Sequence, residues 1–211
     1  MGRSGLKLFR SAQAGEASGP AGLIARDDVV LIKVNAQWKY RGCTNSDVVR
    51  GLIQRILEHP DGFGGEVVIV ENGQGRGSLA CDTSSSYGGD NSVRANANDE
   101  RHSFLYLVNE VFRGQPVFAF LLDPIRARFI DPDDHTTNGY RRFENVSYPC
   151  FTTGGGRRVE LMEGIWTGAR HERNLKLVNS HGGLARPDEG IHVGFLTKLE
   201  PEMRVISALV A

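Results

Sequence analysis

Lys33, Asn35, Thr44, Asn45, Glu71 and Asn72 are the residues whose types and spacing could do chemistry. A lysine supplies a compact positive charge, threonine and asparagine supply hydrogen bonds that can be oriented, and a helix opening near Thr44 supplies unpaired N–H groups. Together they suit an anionic ligand such as a carboxylate or phosphate. In that reading Lys33 is the electrostatic clamp and Glu71 the acid or base. His181 is a second proton-transfer candidate, since Gly182 and Gly183 beside it allow close backbone approach. Arg76, within "NGQGRG", would reach an anion from a loop closing over the Glu71 rim. The plainer reading makes Thr44 and Asn45 helix caps and lets Lys33 carry its head to water from a strand end; caps are commoner than sites.

These residues are positioned by a strand, a helix and a second strand. The β-branched run "VVLIKV" within Asp28–Val34 reads as a strand buried on both faces, as in the middle of a parallel sheet. In "TNSDVVRGLIQRILEH", Val48, Val49, Leu52, Ile53, Ile56 and Leu57 recur at three- and four-residue spacing, which is an amphipathic helix capped by Thr44, Asn45 or Ser46. "HPDGFGG" ends it, and "EVVIVEN" follows as a parallel strand. In open parallel sheets ligands sit beyond the carboxyl ends of the strands, where Lys33, Asn35, Glu71 and Asn72 fall.

Further along, "NDERHSFLYLVNEVFRG" predicts a helix capped by Asn98 or Asp99 and stopped by Gly114, and "PVFAFLLD" a third buried strand. Beyond residue 123 short alternating runs separated by "TTNG" and "TGGG" predict an antiparallel hairpin or meander, with "RRVELMEG" one strand. "NLKLVNS", "IHVGFL" and "RVISALV" read as further strands. The expected architecture is therefore α/β: a mainly parallel sheet with flanking helices, Rossmann-like and three-layered, plus the antiparallel part. Residues 1–27 read as a poorly ordered lead-in with a short strand at Leu6–Phe9, and 28–211 as a single domain. Within it 28–123 is the βαβαβ core and 124–211 mostly a β extension.

The totals fit this. A chain of 211 residues supports one full core, and 40% hydrophobic with 24% charged residues is ordinary globular usage. Twenty-five basic residues balance twenty-five acidic ones, so no net field draws the chain to nucleic acid or anionic lipid. No apolar run is long enough for a membrane helix, and the first 22 residues hold no signal-peptide core, so a cytoplasmic location is expected. Cys43, Cys81 and Cys150 stand far apart without a CxxC, so they read as reduced, buried small hydrophobes rather than a disulfide framework or metal site.

Two other constellations are weaker. Gly73, Gly75 and Gly77 follow a strand but open a long coil rather than a helix, unlike a dinucleotide loop. Asp131, Asp133, Asp134 and His135 carry enough donors for a divalent metal but lack the glycine and terminal glutamate of a calcium loop, so they read as an acidic turn. No metal or other cofactor is assigned from them.

The run "VLIKVNAQWKYRGCTNSDVVRGLIQRILEH" followed by "EVVIVENG" resembles the start of the domain of unknown function 362 family. Its pattern is an apolar strand ending in Lys-x-Asn, a short loop, a Thr-Asn pair opening a "VVRALI"-like helix, and an apolar strand ending in Glu. Lys33, Asn35, Thr44, Asn45 and Glu71 match it. The resemblance implies an α/β domain, at times attached to ferredoxin-like iron–sulfur modules, and hence a redox partner. Around "NLKLVNSHGG" the chain keeps Lys176 and His181 but departs from the family's "PxLKxH" and "TGALKN" segments. The expected function is a site for a small anionic molecule at the carboxyl edge of the parallel strands, in an enzyme or the remnant of one. The alternative is a non-catalytic ligand-binding or accessory module beside an iron–sulfur system.

Overall fold

The computed structural model describes residues 7–71, 77–83, 90–121, 129–131, 133–134, 136–143 and 146–160. It gives backbone alone for 129, 141–143, 146–149, 160, 175–179 and 205–207. In chain order the strands are β1 (Phe9–Arg10), β2 (Ser18–Gly19), β3 (Val29–Lys33), β4 (Glu66–Glu71), β5 (Val117–Leu121) and β6 (Phe129–Ile130). They continue with β7 (Gly139–Phe143), β8 (Val146–Thr152), β9 (Arg158–Glu160), β10 (Leu175–Asn179) and β11 (Val205–Ser207). The helices are α1 (Ser46–Leu57) and α2 (Phe104–Tyr106), the latter continued by a π-turn over Leu107–Val111.

An unbroken aliphatic strand needs neighbours on both edges and cover on both faces. All five residues of β3 are buried, between parallel partners β4 and β10. The full order β11-β10-β3-β4-β5 is a parallel five-stranded sheet, and β6-β7-β8-β9 is a second sheet, antiparallel except for the short β6–β7 pairing. The fold is thus a sheet-rich α/β arrangement with two short helices among the described residues. No helix among the described residues is long and apolar enough to cross a membrane.

The two faces of the parallel sheet receive different cover. Val30, Ile32, Val67 and Ile69 share one apolar cluster with Val49, Ile53 and Ile56, the buried stripe of α1. Val48, expected in that stripe, is exposed. On the opposite side the Phe120 ring stacks on Phe151 of β8 at 4.4 Å, and a side chain at Gly154 would collide with Phe118. The second sheet, not another helix, meets that face at β5. Arg157 reinforces the junction by donating to the carbonyls of Asp27 and Gly64.

Three expectations need correction. Residues 7–27 are not a loose lead-in: β1 and β2 pair in parallel, and Leu8, Phe9, Leu23 and Ile24 are core side chains. Apolar residues scattered among Gly, Ala and Ser show no period, yet tertiary contacts recruit them; Phe9 packs edge-on against His59, whose Nε2 lies 3.1 Å from the Ile24 carbonyl. The helix expected from Asn98 or Asp99 starts later, at Ser103, whose hydroxyl accepts from Tyr106 N–H at 3.2 Å. Asp99 instead binds Arg101 and the Asn98 N–H donates to Asp47, so local side-chain bonds hold that stretch in turns. Gly114 does end the element, with φ 78°. Finally, "NLKLVNS" is the strand expected, β10, but it lies beside β3, so the parallel sheet draws on 124–211 as well as on the 28–123 core. The "IHVGFL" strand lies outside the described residues.

Because Phe9 is 2% exposed, Phe9→Ala is expected to cost about 3–5 kcal/mol of stability, read from urea denaturation midpoints. A loss below about 0.5 kcal/mol would return the segment to a loose lead-in.

Candidate functional site at the carboxyl edge of the parallel sheet

β3 and β4 end in a lysine and a glutamate that close on each other. Lys33 Nζ donates to Glu71 Oε2 and to the Val34 carbonyl, both at 2.5 Å, and the two residues are 4% and 2% exposed. The register pairs Lys33 with Val70, so strand alternation assigns Lys33 and Glu71 to opposite faces of the sheet. Their contact therefore bends around the strand ends. Burial lowers the Lys33 ammonium from its ordinary value, and the Glu71 carboxylate beside it opposes that shift. Lys33 does not carry its charge to water, and the carboxylate already faces it.

Asn35 and Thr44 form a separate device. The Asn35 N–H donates to Thr44 Oγ1 at 2.8 Å, the Thr44 N–H returns a bond to the Asn35 carbonyl at 2.9 Å, and Asn35 Nδ2 donates to the Gly42 carbonyl at 2.9 Å. Asn35 Oδ1 accepts from Gln37 N–H. The loop leaving β3 is thereby clasped shut at its two ends. Asn45 is the cap of α1, accepting from Val48 N–H at 3.0 Å, with Asp47 in the first turn suiting the helix dipole.

The start of α1 is also covered by the segment 96–102. The Ser46 N–H donates to the Asn96 carbonyl and its hydroxyl to the His102 carbonyl, while Asn96 Nδ2 donates to the Cys43 carbonyl. Lys39, fully buried, donates to the carbonyls of Asp90 and Ser92 and lies 3.6 Å from the Asp90 carboxylate. It pins the incoming chain above the sheet edge. Its position in a polar loop carries no periodic signal that could have announced it.

The structure thus brings Lys33 to Glu71 and Asn35 to Thr44, and leaves Asn45 with its own helix. Asn72, Arg76 and His181 lie outside the described residues. Sequence reasoning missed a further pair: Cys43 and Cys81, 38 positions apart, whose sulfurs lie 3.6 Å from each other. Both sit in the loops above the strand ends, and the charge of Glu71 reaches Cys43. Between β6 and β7, the carboxylates of Asp131 and Asp134 accept N–H groups of Asp133 and of Thr136 and Thr137, which is turn chemistry. No protein-family model, curated protein or solved structure matches this chain.

Removing one partner of a buried ion pair strands the other, so Lys33→Met and Glu71→Met are each expected to lose about 3–5 kcal/mol, whereas the double variant recovers most of it. Additive losses in urea denaturation would contradict the pairing. The pH dependence has a definite sign. A lysine lowered by burial sheds its proton earlier folded than unfolded, so stability rises with pH from the folded value up to 10.5 and is unaffected below it. Measured against the double variant, the native protein should gain stability as pH is raised towards 10.5.

Proposed function

We propose that the carboxyl edge of β3 and β4 is a binding site for a small organic anion, in an enzyme or the remnant of one. The observation that carries this reading is the Lys33–Glu71 pair lying at the ends of the central parallel strands. Chain order gives that place its weight. From β3 the chain moves outward to β4 and β5, and returns to the other side of β3 as β10 before continuing to β11. Ligands of open α/β sheets bind at such reversals, beyond the carboxyl ends of the strands. We read the parallel sheet as Rossmann-like on the same ground.

In this site an incoming carboxylate or phosphate exchanges with Glu71 for Lys33. The released Glu71 then accepts or returns a proton at the ligand, beside a Lys33 ammonium that burial lowers from its ordinary value. The clasp between Asn35 and Thr44 holds the adjoining loop as a wall. The likeness to the domain of unknown function 362 family over "VLIKVN", "TNSDVVRGLI" and "EVVIVEN" supports the same edge as the site.

A second reading, a non-catalytic accessory module beside a redox protein, is favoured by one specific observation. Lys33 is already matched by Glu71, and donors at the start of α1 are taken by Asn45 and Asn96.

Thermal unfolding with inorganic phosphate, citrate and malonate, run on the native protein and on the Lys33→Met/Glu71→Met variant, tests the proposal. A melting temperature that rises with anion concentration in the native protein and not in the double variant is expected. Equal shifts in both would remove the pair from the site.

A further inference from the structure

We propose that Cys43 and Cys81 are a redox modification site, a dithiol that closes reversibly into a disulfide joining the loop after β3 to the loop after β4. The Sγ atoms lie 3.6 Å apart and both residues are buried. Forming the bond brings them to about 2.0 Å, a closure of roughly 1.5 Å that side-chain rotation with a small backbone adjustment supplies.

The approach of the two sulfurs is built into the framework. The Cys43 N–H donates to the Tyr40 carbonyl at 2.9 Å, and the Cys43 carbonyl accepts from Asn96 Nδ2 at 2.9 Å. The Cys81 N–H donates to the Ser78 carbonyl at 3.0 Å, and its carbonyl accepts from the Arg94 N–H at 2.9 Å. Residues 94–96 therefore hold both cysteine backbones, and the Ser78 N–H bond to the Ala36 carbonyl ties the two loops a second time. Cys81 also adopts φ 55°, a left-handed conformation that a side chain other than glycine enters only under tertiary constraint.

The contact distinguishes the two thiols. Cys43 is pushed up, first by its hydrogen bond to Cys81 and then by burial, while the same 3.6 Å contact, across which either sulfur can donate, lowers Cys81. Cys81 is the attacking atom. With hydrogen peroxide as oxidant, the Cys81 thiolate attacks one peroxide oxygen, the O–O bond breaks, and the departing hydroxide takes up a proton to become water. The Cys43 sulfur then attacks the sulfur of the Cys81 sulfenic acid. The S–O bond breaks, and the second hydroxide leaves as water with the Cys43 proton. Two thiols lose two protons and two electrons, and the peroxide is reduced to two waters; an external dithiol reverses the exchange.

Cys150 is an internal control. It is buried as well, but its sulfur faces the carbonyls of Thr137 and Gly139 in the second sheet. The test treats the folded full chain with hydrogen peroxide, then denatures it, alkylates the free thiols and maps the peptides. The expected product lacks two hydrogens, contains a Cys43–Cys81 cross-link, and drops from three alkylatable thiols to one, Cys150. Dithiothreitol restores all three, and the oxidised form unfolds at higher urea than the reduced form. In Cys43→Ser the peroxide step stops at a Cys81 sulfenic acid, which dimedone traps. Three free thiols after treatment, a cross-link that includes Cys150, or over-oxidation without any cross-link would each overturn the proposal. The native protein alone decides those outcomes if the variant fails to fold.

Discussion

A lysine buried at the end of a central strand obliges the fold to deliver it a carboxylate, and Glu71 at the end of the neighbouring β4 supplies it. An ammonium group in so dry a place is tolerable only when its charge is matched and its donors are satisfied, which Glu71 and the Val34 carbonyl do. In a parallel ladder a slip by one residue sends every side chain to the other face, so the two-sided aliphatic burial of β3 and β4 sets their alignment. Within that alignment Lys33, paired with Val70, reaches Glu71 around the strand ends.

What happens above the strand ends follows from that alignment. The loop after β3 is short, its ends are clasped by Asn35 and Thr44, and it must deliver Asn45 to cap α1. The chain between β4 and α2 returns over it, held by Lys39 at Asp90 and Ser92, by Asn96 at Cys43, and by Ser46 at Asn96 and His102. Much of the polarity that looks chemical in this region is therefore fastening. The Lys33–Glu71 pair stays distinct, because its two charges are matched to each other rather than to the backbone of the returning segment.

The elements closest to the candidate site were legible before any coordinates. The aliphatic run of β3 and β4, the stripe Val49, Ile53 and Ile56, the capping position near Asn45 and the stop at Gly114 all stand in the structure. Each has a local cause: a period, a cap, or a residue tolerant of positive φ. The N-terminal segment gives no such signal, because Leu8, Phe9, Leu23 and Ile24 owe their burial to residues far along the chain, such as His59. The start of α2 moved because Asp99 satisfies nearby backbone and Arg101 before a helix can begin.

The sequence by itself determined that β3, β4 and β5 are strands, where α1 begins, and that a cation and a carboxylate close consecutive strands. Those properties depend on side-chain chemistry within a few residues of one another. Only the tertiary structure decided that Lys33 and Glu71 neutralise each other, that β10 takes its place beside β3, and that two cysteines 38 positions apart come into contact. Such outcomes depend on register and on the path of returning loops, which are set by the joint burial of distant segments and leave no periodic trace in either one.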